Sequence, residues 1–345
     1  ATTEIYTLSL HDALPIQHGG GLAAASALYG GRIEDWLDLS TGINPCPPDL
    51  PEIPMRAWHR LPDQEREMAS RQAAQRFYRS GHRLPLPVPG TQSVIQLLPR
   101  LVSSGARVAV MSPTYGEYLR AFTLAGLAVD AISDLHEIGT AHGLVVVVNP
   151  NNPDGRLHTT TELRALAADL AHRGGLLVVD EAFGDMLPEQ SLAGDDSANL
   201  IVFRSFGKFF GLAGIRLGFV IASDERTAQF SEWLGPWAVS GPALVLAEHL
   251  MSSDTSLIAQ QIRRRAVALQ EVLSESCLKV RGGTDLFQLV EDASAGELHQ
   301  HLCSRQILTR KFDYRSDWLR FGLAPDEAGN ARLREALETF RSSSA

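Results

Sequence analysis

Residues 144–155 read LVVVVNPNNPDG, residues 176–183 read LLVVDEAF, and residues 200–216 read LIVFRSFGKFFGLAGIR. Each stretch is an apolar run that stops abruptly at a polar residue. Val145 to Val148 and Leu176 to Val179 show no polar alternation, so both faces of such strands are predicted to be buried. That pattern belongs to a mostly parallel sheet with helices on both faces, an α/β fold. Ligands of open α/β sheets bind at the carboxyl ends of the strands. The Asn-rich NPNNPDG turn, Asp180 and Lys208 each sit just past such an end, so the three are expected along one sheet edge.

Around this centre, further strands are predicted at Arg107–Met111, Leu127–Ile132 and Leu217–Ala222. Helices are predicted at Arg66–Tyr78, Thr91–Val102, Tyr115–Ala125 and Thr159–His172. After about Ser231 the pattern changes. A long helical segment from Pro242 to about Leu273 precedes short strands near Cys277–Arg281, Leu286–Val290, Ile307–Arg310 and Trp318–Leu323. Helices are expected near Ala295–Ser304 and Asn330–Phe340. The reading divides the chain into an N-terminal arm (17–64), a large domain (65–235) and a small α+β C-terminal domain (236–345). Gly and Pro in HGGG, STGINPCPPDLPEIP and RLPDQE exclude long regular elements from the arm. Residues 1–16 lack the basic start and long apolar centre of a signal peptide. They read as a non-native scar rather than as part of the fold.

The 345 residues suffice for a large core and a smaller second one. Asp and Glu total 40 against 31 Lys and Arg, a formal charge of -9, which argues against a dedicated nucleic-acid binder. No apolar run is long enough to span a membrane. Three scattered cysteines, Cys46, Cys277 and Cys303, offer neither a disulfide framework nor metal-ligand spacing. No metal site is expected, and a reducing cytoplasm is the default compartment.

Taken singly, the polar strand ends are weak signals. A lysine after a strand is commonly a solvated loop residue, an aspartate a helix cap, and NNPDG a turn. Together with Ser205 and Arg216 they suit a covalently held anionic ring cofactor. An amine can form a Schiff base with an aldehyde, and a carboxylate can keep a pyridinium nitrogen protonated. A hydroxyl, an arginine and a helix N-terminus can bind a phosphate. Pyridoxal 5'-phosphate (PLP) calls for this set.

Six motifs carry a family resemblance: PGTQSVIQL (89–97), PTYGEY (113–118), NPNNPDG (149–155), DEAF (180–183), SFGKFFGLAGIRLGF (205–219) and LRFGL (319–323). In this order they resemble the fold-type I PLP-dependent enzymes of the class I/II aminotransferase superfamily. Two branches are near: the histidinol-phosphate aminotransferases and the threonine-phosphate decarboxylases of cobalamin biosynthesis. HGGG (18–21), LSTGINPCPP (39–48) and Phe183, where aminotransferases usually carry Tyr, are similar to the decarboxylase branch.

The resemblance implies roles for single residues. Lys208 is similar to the Schiff-base lysine, Asp180 to the ring-nitrogen partner and Asn152 to the donor toward the phenolic oxygen and substrate. Tyr115 resembles the aromatic stacked on the ring. Gly90, Thr91, Gln92, Ser205 and Arg216 resemble the phosphate cup. Arg320 resembles the substrate-carboxylate arginine, Arg310 the arginine facing a substrate phosphate, and His18 and Asn44 polar groups of the arm on the substrate side. The implied reaction is decarboxylation of O-phospho-L-threonine, with transamination of a substrate such as histidinol phosphate as the alternative. A homodimer with its site at the subunit boundary is also implied. Gly21, where the decarboxylase branch often has Asn, and Leu61, where many aminotransferases have Tyr, depart from the pattern.

Overall fold

The computed structural model describes residues 19–344. His18 and the segment 1–16 therefore lie outside the described residues. The arm contributes helix Leu22–Tyr29, strand β1 (Leu37–Asp38) and helix Met55–His59. Helix Gln64–Tyr78 begins at Asp63, whose side chain accepts the Arg66 N–H and caps the first turn.

The central sheet comprises β2 (Leu86–Val88), β3 (Arg107–Met111), β4 (Val129–Ile132), β5 (His142–Val148), β6 (Leu176–Asp180), β7 (Leu200–Ser205) and β8 (Gly218–Ile221). Their order is β2-β8-β7-β6-β5-β3-β4. Strands β4, β3, β5, β6 and β7 pair in parallel, and β8 runs antiparallel to both of its neighbours. Alternate residues of the apolar runs enter two separate cores. Val145, Val147, Leu177, Val179 and Val202 pack on one face, with Leu163 and Leu170 of helix Thr160–His172. Val146, Val148, Leu176, Val178 and Phe203 pack on the other, with Tyr118 and Phe122 of helix Glu117–Leu124. Burying such a side chain contributes about 1.5–3 kcal/mol, so the unbroken valine runs favour this two-sided burial over an exposed face.

Helices Asp224–Leu234, Gly241–Ser252 and Ser256–Glu275 follow the sheet. Next come β9 (Val280–Thr284), β10 (Phe287–Glu291), helix Ala295–Ser304, β11 (Ile307–Leu308), β12 (Arg310–Phe312), β13 (Arg315–Gly322) and helix Glu327–Ser344. Strands β12-β13-β10-β9 form an antiparallel sheet, and β11 pairs in parallel with β1 of the arm.

The structure differs from the sequence expectation in several places, among them the strand expected near Ile307–Arg310, which is two strands, β11 and β12, in separate sheets, and the strand expected near Cys277–Arg281, which runs Val280–Thr284. The helix expected over 91–102 ends at Ile95 and resumes as a 3-10 turn at Leu98–Leu101. Pro99 has no N–H to give the Ile95 carbonyl, so the α-helix cannot continue there. The helix expected from Tyr115 begins at Glu117, behind Gly116. The long helix expected over 242–273 is two helices. Asp254 accepts from the Ser256 N–H at 2.9 Å and the Ser256 hydroxyl at 3.0 Å, a local bond that competes with the helical ladder. Strand β2, with Pro87 at its centre, sits at the sheet edge, where a missing N–H is tolerated.

Candidate active site

Strands β5, β6 and β7 end side by side, and the residues following them converge on one cavity. It is lined by Gly90, Thr91, Gln92, Tyr115, Asn152, Asp180, Phe183, Ser205, Lys208 and Arg216, among others. Every residue expected to hold the cofactor is therefore brought together. The cavity adjoins a wider one of about 440 Å³, which shares Tyr115, Asn152, Phe183, Lys208 and Arg216 and adds Arg310 and Arg320.

Lys208 lies on the single helical turn Phe206–Phe209 that follows β7. Burial pushes its amine down to about 8, with the Arg320 and Arg216 guanidiniums acting in the same direction and Asp180 opposing. Its Nζ stands 5.6 Å from the centroid of the Phe183 ring.

Asp180 is the last residue of β6 and is 4% exposed. One carboxylate oxygen accepts the Tyr118 hydroxyl at 2.7 Å and the other the Ala182 N–H at 2.9 Å. Burial pushes the carboxyl up, and these two donors and Lys208 pull it back. Its neighbour Glu181 has a different task. It takes Arg204 at 2.6 Å, the Ser191 hydroxyl at 2.5 Å and the Leu192 N–H at 2.7 Å, a buried structural group.

At the cup, Gly90 precedes the helical turn Thr91–Ile95 with φ +74. A Cβ there would stand 2.9 Å from Arg216 Nη2, so glycine leaves a cradle over the guanidinium. Arg216 itself adopts a left-handed backbone (φ 55, ψ 55), which costs energy for a residue with a side chain. The side chain of Gln92 is already engaged. It accepts the Tyr115 hydroxyl at 3.0 Å and donates to Glu117 at 2.7 Å. That chain orients the Tyr115 ring and leaves the Gln92 backbone for the cup. The donor set, the cradle at Gly90 and the buried amine beside a buried carboxylate all fit PLP.

On the substrate side, Arg310 and Arg320 stand directly opposite each other in the register of β12 and β13. Like charges at such positions repel unless an anion lies between them. Arg320 is 6% exposed and is pushed down to about 9, by burial first and by Arg310 second. It donates to the Asn152 side-chain oxygen and, at 2.8 Å, to the Ser40 carbonyl. Its Nε is buried without a hydrogen-bond partner among the described residues, so Asn152 and Ser40 take only two of its five N–H groups. Ser40 also ties down the arm, since its hydroxyl accepts the Gly20 N–H at 2.7 Å. A Cβ on Gly19 would run into the Ser40 carbonyl, and Gly20 adopts φ +86, which explains the first two glycines of HGGG.

Asn44 is not brought to the cavity. Its amide donates to the Phe209 carbonyl at 3.0 Å, its carbonyl accepts the Cys46 N–H, and its N–H bonds the Lys208 carbonyl at 2.9 Å. It pins the arm to the turn that carries the lysine. Tyr118, Glu117 and Ser40 went unread in the sequence. Tyr118 and Glu117 lie inside the PTYGEY motif and Ser40 inside LSTGINP, yet their partners are supplied by the fold.

A fold with this sheet order and a lysine, a carboxylate and an anion cradle at its strand ends defines a class. The family model described as aminotransferase class I and II matches residues 35–337, and the chain belongs to that family. Two relatives lie nearer still. A threonine-phosphate decarboxylase of Sinorhizobium sp is 58% identical over 325 residues, covering 94% of this chain and 98% of that one. A threonine-phosphate decarboxylase of Pseudomonas aeruginosa is 43% identical, again covering 94% of this chain and 98% of that protein. The histidinol-phosphate aminotransferase of Sinorhizobium meliloti, solved with pyridoxal-5'-phosphate, shares the fold over 100% of both chains, with a TM-score of 0.78 at 21% identity.

Proposed function

We propose that the chain is a PLP-dependent carboxy-lyase. Its substrate is O-phospho-L-threonine, and its products are CO₂ and (R)-1-aminopropan-2-ol phosphate, a linker unit of cobalamin. The observation that carries this reading is the register pair Arg310 and Arg320, two guanidiniums beside one cavity with Lys208. A substrate with one carboxylate and one phosphate needs two such anchors. The two similar decarboxylases support the same substrate.

Gly90, Thr91, the Gln92 backbone, Ser205 and Arg216 would hold the cofactor phosphate, and Asp180 the ring nitrogen. When bound, PLP supplies an electron sink for the pair left on the α-carbon as the carboxylate departs. The protein does the rest. Arg320 binds the α-carboxylate with the N–H groups that Asn152 and Ser40 leave, and Arg310 takes the phosphate. Asn152, held by Arg320, marks the boundary between cofactor and substrate. Lys208, with its amine near 8, is partly neutral at neutral pH and can both attack an aldehyde and carry a proton to the α-carbon. Phe183 presents no hydroxyl at the cavity wall.

Trp58, Leu61 and Trp237 are exposed together around a further cavity that reaches Gly214 and Ile215, just before Arg216. An apolar band of this kind next to the phosphate cup supports a homodimer with the site near the subunit boundary. None of the described helices is long and apolar enough to cross a membrane. A cytoplasmic location agrees with the three free cysteines.

The test is direct. Purified protein supplied with PLP and O-phospho-L-threonine is expected to release CO₂ and aminopropanol phosphate in equal amounts. Conversion of the cofactor to pyridoxamine phosphate by glutamate, with no CO₂ from phosphothreonine, supports an aminotransferase instead.

A further inference from the structure

We infer that Tyr118 is a positioning residue that keeps the Asp180 carboxylate charged and aimed at the ring nitrogen, an inference that rests on the proposed cofactor. Tyr118 lies in the first turn of helix Glu117–Leu124 and is fully buried in the core between that helix and the sheet. It lines neither of the two cavities that meet at Lys208, so it touches Asp180 and not the ligand. Its hydroxyl donates to one carboxylate oxygen at 2.7 Å while the Ala182 N–H holds the other at 2.9 Å. Two fixed donors, one on each oxygen, stop the carboxylate from rotating. Each oxygen keeps a further lone pair for a donor in the cavity.

The electrostatics explain why such a donor is needed. Asp180 is buried, and burial favours its neutral acid, as does nearby Glu181. A neutral acid could not hold a pyridinium charge. Lys208 opposes protonation only while it is itself charged. Tyr118, by contrast, remains a donor throughout, because burial and the adjacent carboxylate hold its own proton far above the ordinary tyrosine range. Tyr115, a further titratable group near Asp180, packs edge-on against the Tyr118 ring at 6.4 Å and 82°. That contact needs the ring of Tyr118 and not its hydroxyl.

The experiment measures equilibrium binding of PLP to the cofactor-free full-length chain across pH, for the wild type, Tyr118→Phe, Asp180→Asn and the double variant. Phenylalanine keeps the packing and removes only the donor. Tyr118→Phe is expected to weaken binding roughly tenfold to a hundredfold, the range for a hydrogen bond to a charged group. The sign follows from linkage. Loss of the donor raises the Asp180 pKa, so affinity is lost at a higher pH as acid is added, by about one to two units. In the Asp180→Asn background the same change should have no effect, because the charge it serves is gone. Equal affinity and an equal pH profile for wild type and Tyr118→Phe would overturn the inference. So would an equal loss in both backgrounds, which would make the hydroxyl merely structural. If the wild type itself binds no PLP, the cofactor reading fails and this inference falls with it.

Discussion

Replacing Arg310 with alanine removes one of two guanidiniums that face each other across β12 and β13. Arg310 is only partly buried, whereas Arg320 is 6% exposed. A charge-assisted hydrogen bond contributes about 1.5–3 kcal/mol, and partial exposure favours the lower end through solvent screening. About 1.5–2 kcal/mol corresponds to a roughly ten- to thirtyfold loss in kcat/KM for phosphothreonine. Unphosphorylated threonine never used that anchor. Loss of the neighbouring cation also relieves Arg320, whose pKa Arg310 helps depress. Threonine turnover should therefore stay level or rise slightly. The assay is CO₂ release from both substrates, and the quantity of interest is their ratio. Arg320→Ala serves as the control and should weaken both substrates alike. An equal loss on both substrates for Arg310→Ala would refute the assignment of Arg310 to the phosphate.

Four further outcomes are expected. Lys208→Ala should abolish the borohydride-reducible link to PLP. In the unaltered protein, capture of PLP should speed up as pH rises through about 8, because the neutral amine present above that value is lost below it; a flat profile would contradict the burial argument. Asp180→Asn should still bind some PLP through the phosphate cup yet lose two to four decades of turnover, about 3–5 kcal/mol; near-normal rates would remove it from the mechanism. Gly90→Ala places a Cβ 2.9 Å from Arg216 Nη2 on a backbone at φ +74, and titration with PLP should show weakened affinity, while Gly296→Ala, where a Cβ meets nothing within 4 Å, should not.

The parts of the site that were legible in the sequence share one property: chain-local context decides them. Val145–Val148 and Leu176–Val179 are apolar on both faces, so their strands, and the positions of Asn152 and Asp180 just past them, follow from the pattern. Lys208 was legible for the same reason, three residues beyond β7. The missed parts depend on tertiary contacts or on rules that override periodicity. Leu86–Val88 is flanked and interrupted by prolines and is not among the strands predicted above, yet its edge position makes Pro87 harmless. The break at Ser253–Thr255 falls in a run of five polar residues, Ser252 to Ser256, between two helical patterns that read as one, and is set by the Asp254 side chain. Asn44 sits in a segment resembling a substrate loop, but its amide is spent on the Phe209 carbonyl. Tyr118 fits an amphipathic helix as an ordinary core residue, and only the packed structure brings its hydroxyl to Asp180. The ten residues from Arg310 to Arg320 fix no geometry by themselves. The hairpin register, with a bulge between Lys311 and Phe312, makes them a pair.

The central claim is that the bond to the carboxylate breaks and the bond to the amine does not. Phosphothreonine labelled at its carboxyl carbon and its amine nitrogen, turned over by the PLP-loaded protein in deuterated water, tests this most directly. The account predicts labelled CO₂, labelled nitrogen retained in aminopropanol phosphate, and one solvent deuterium on the carbon that lost the carboxylate. Labelled nitrogen transferred to the cofactor, with the labelled carboxylate retained in a keto acid, would contradict it.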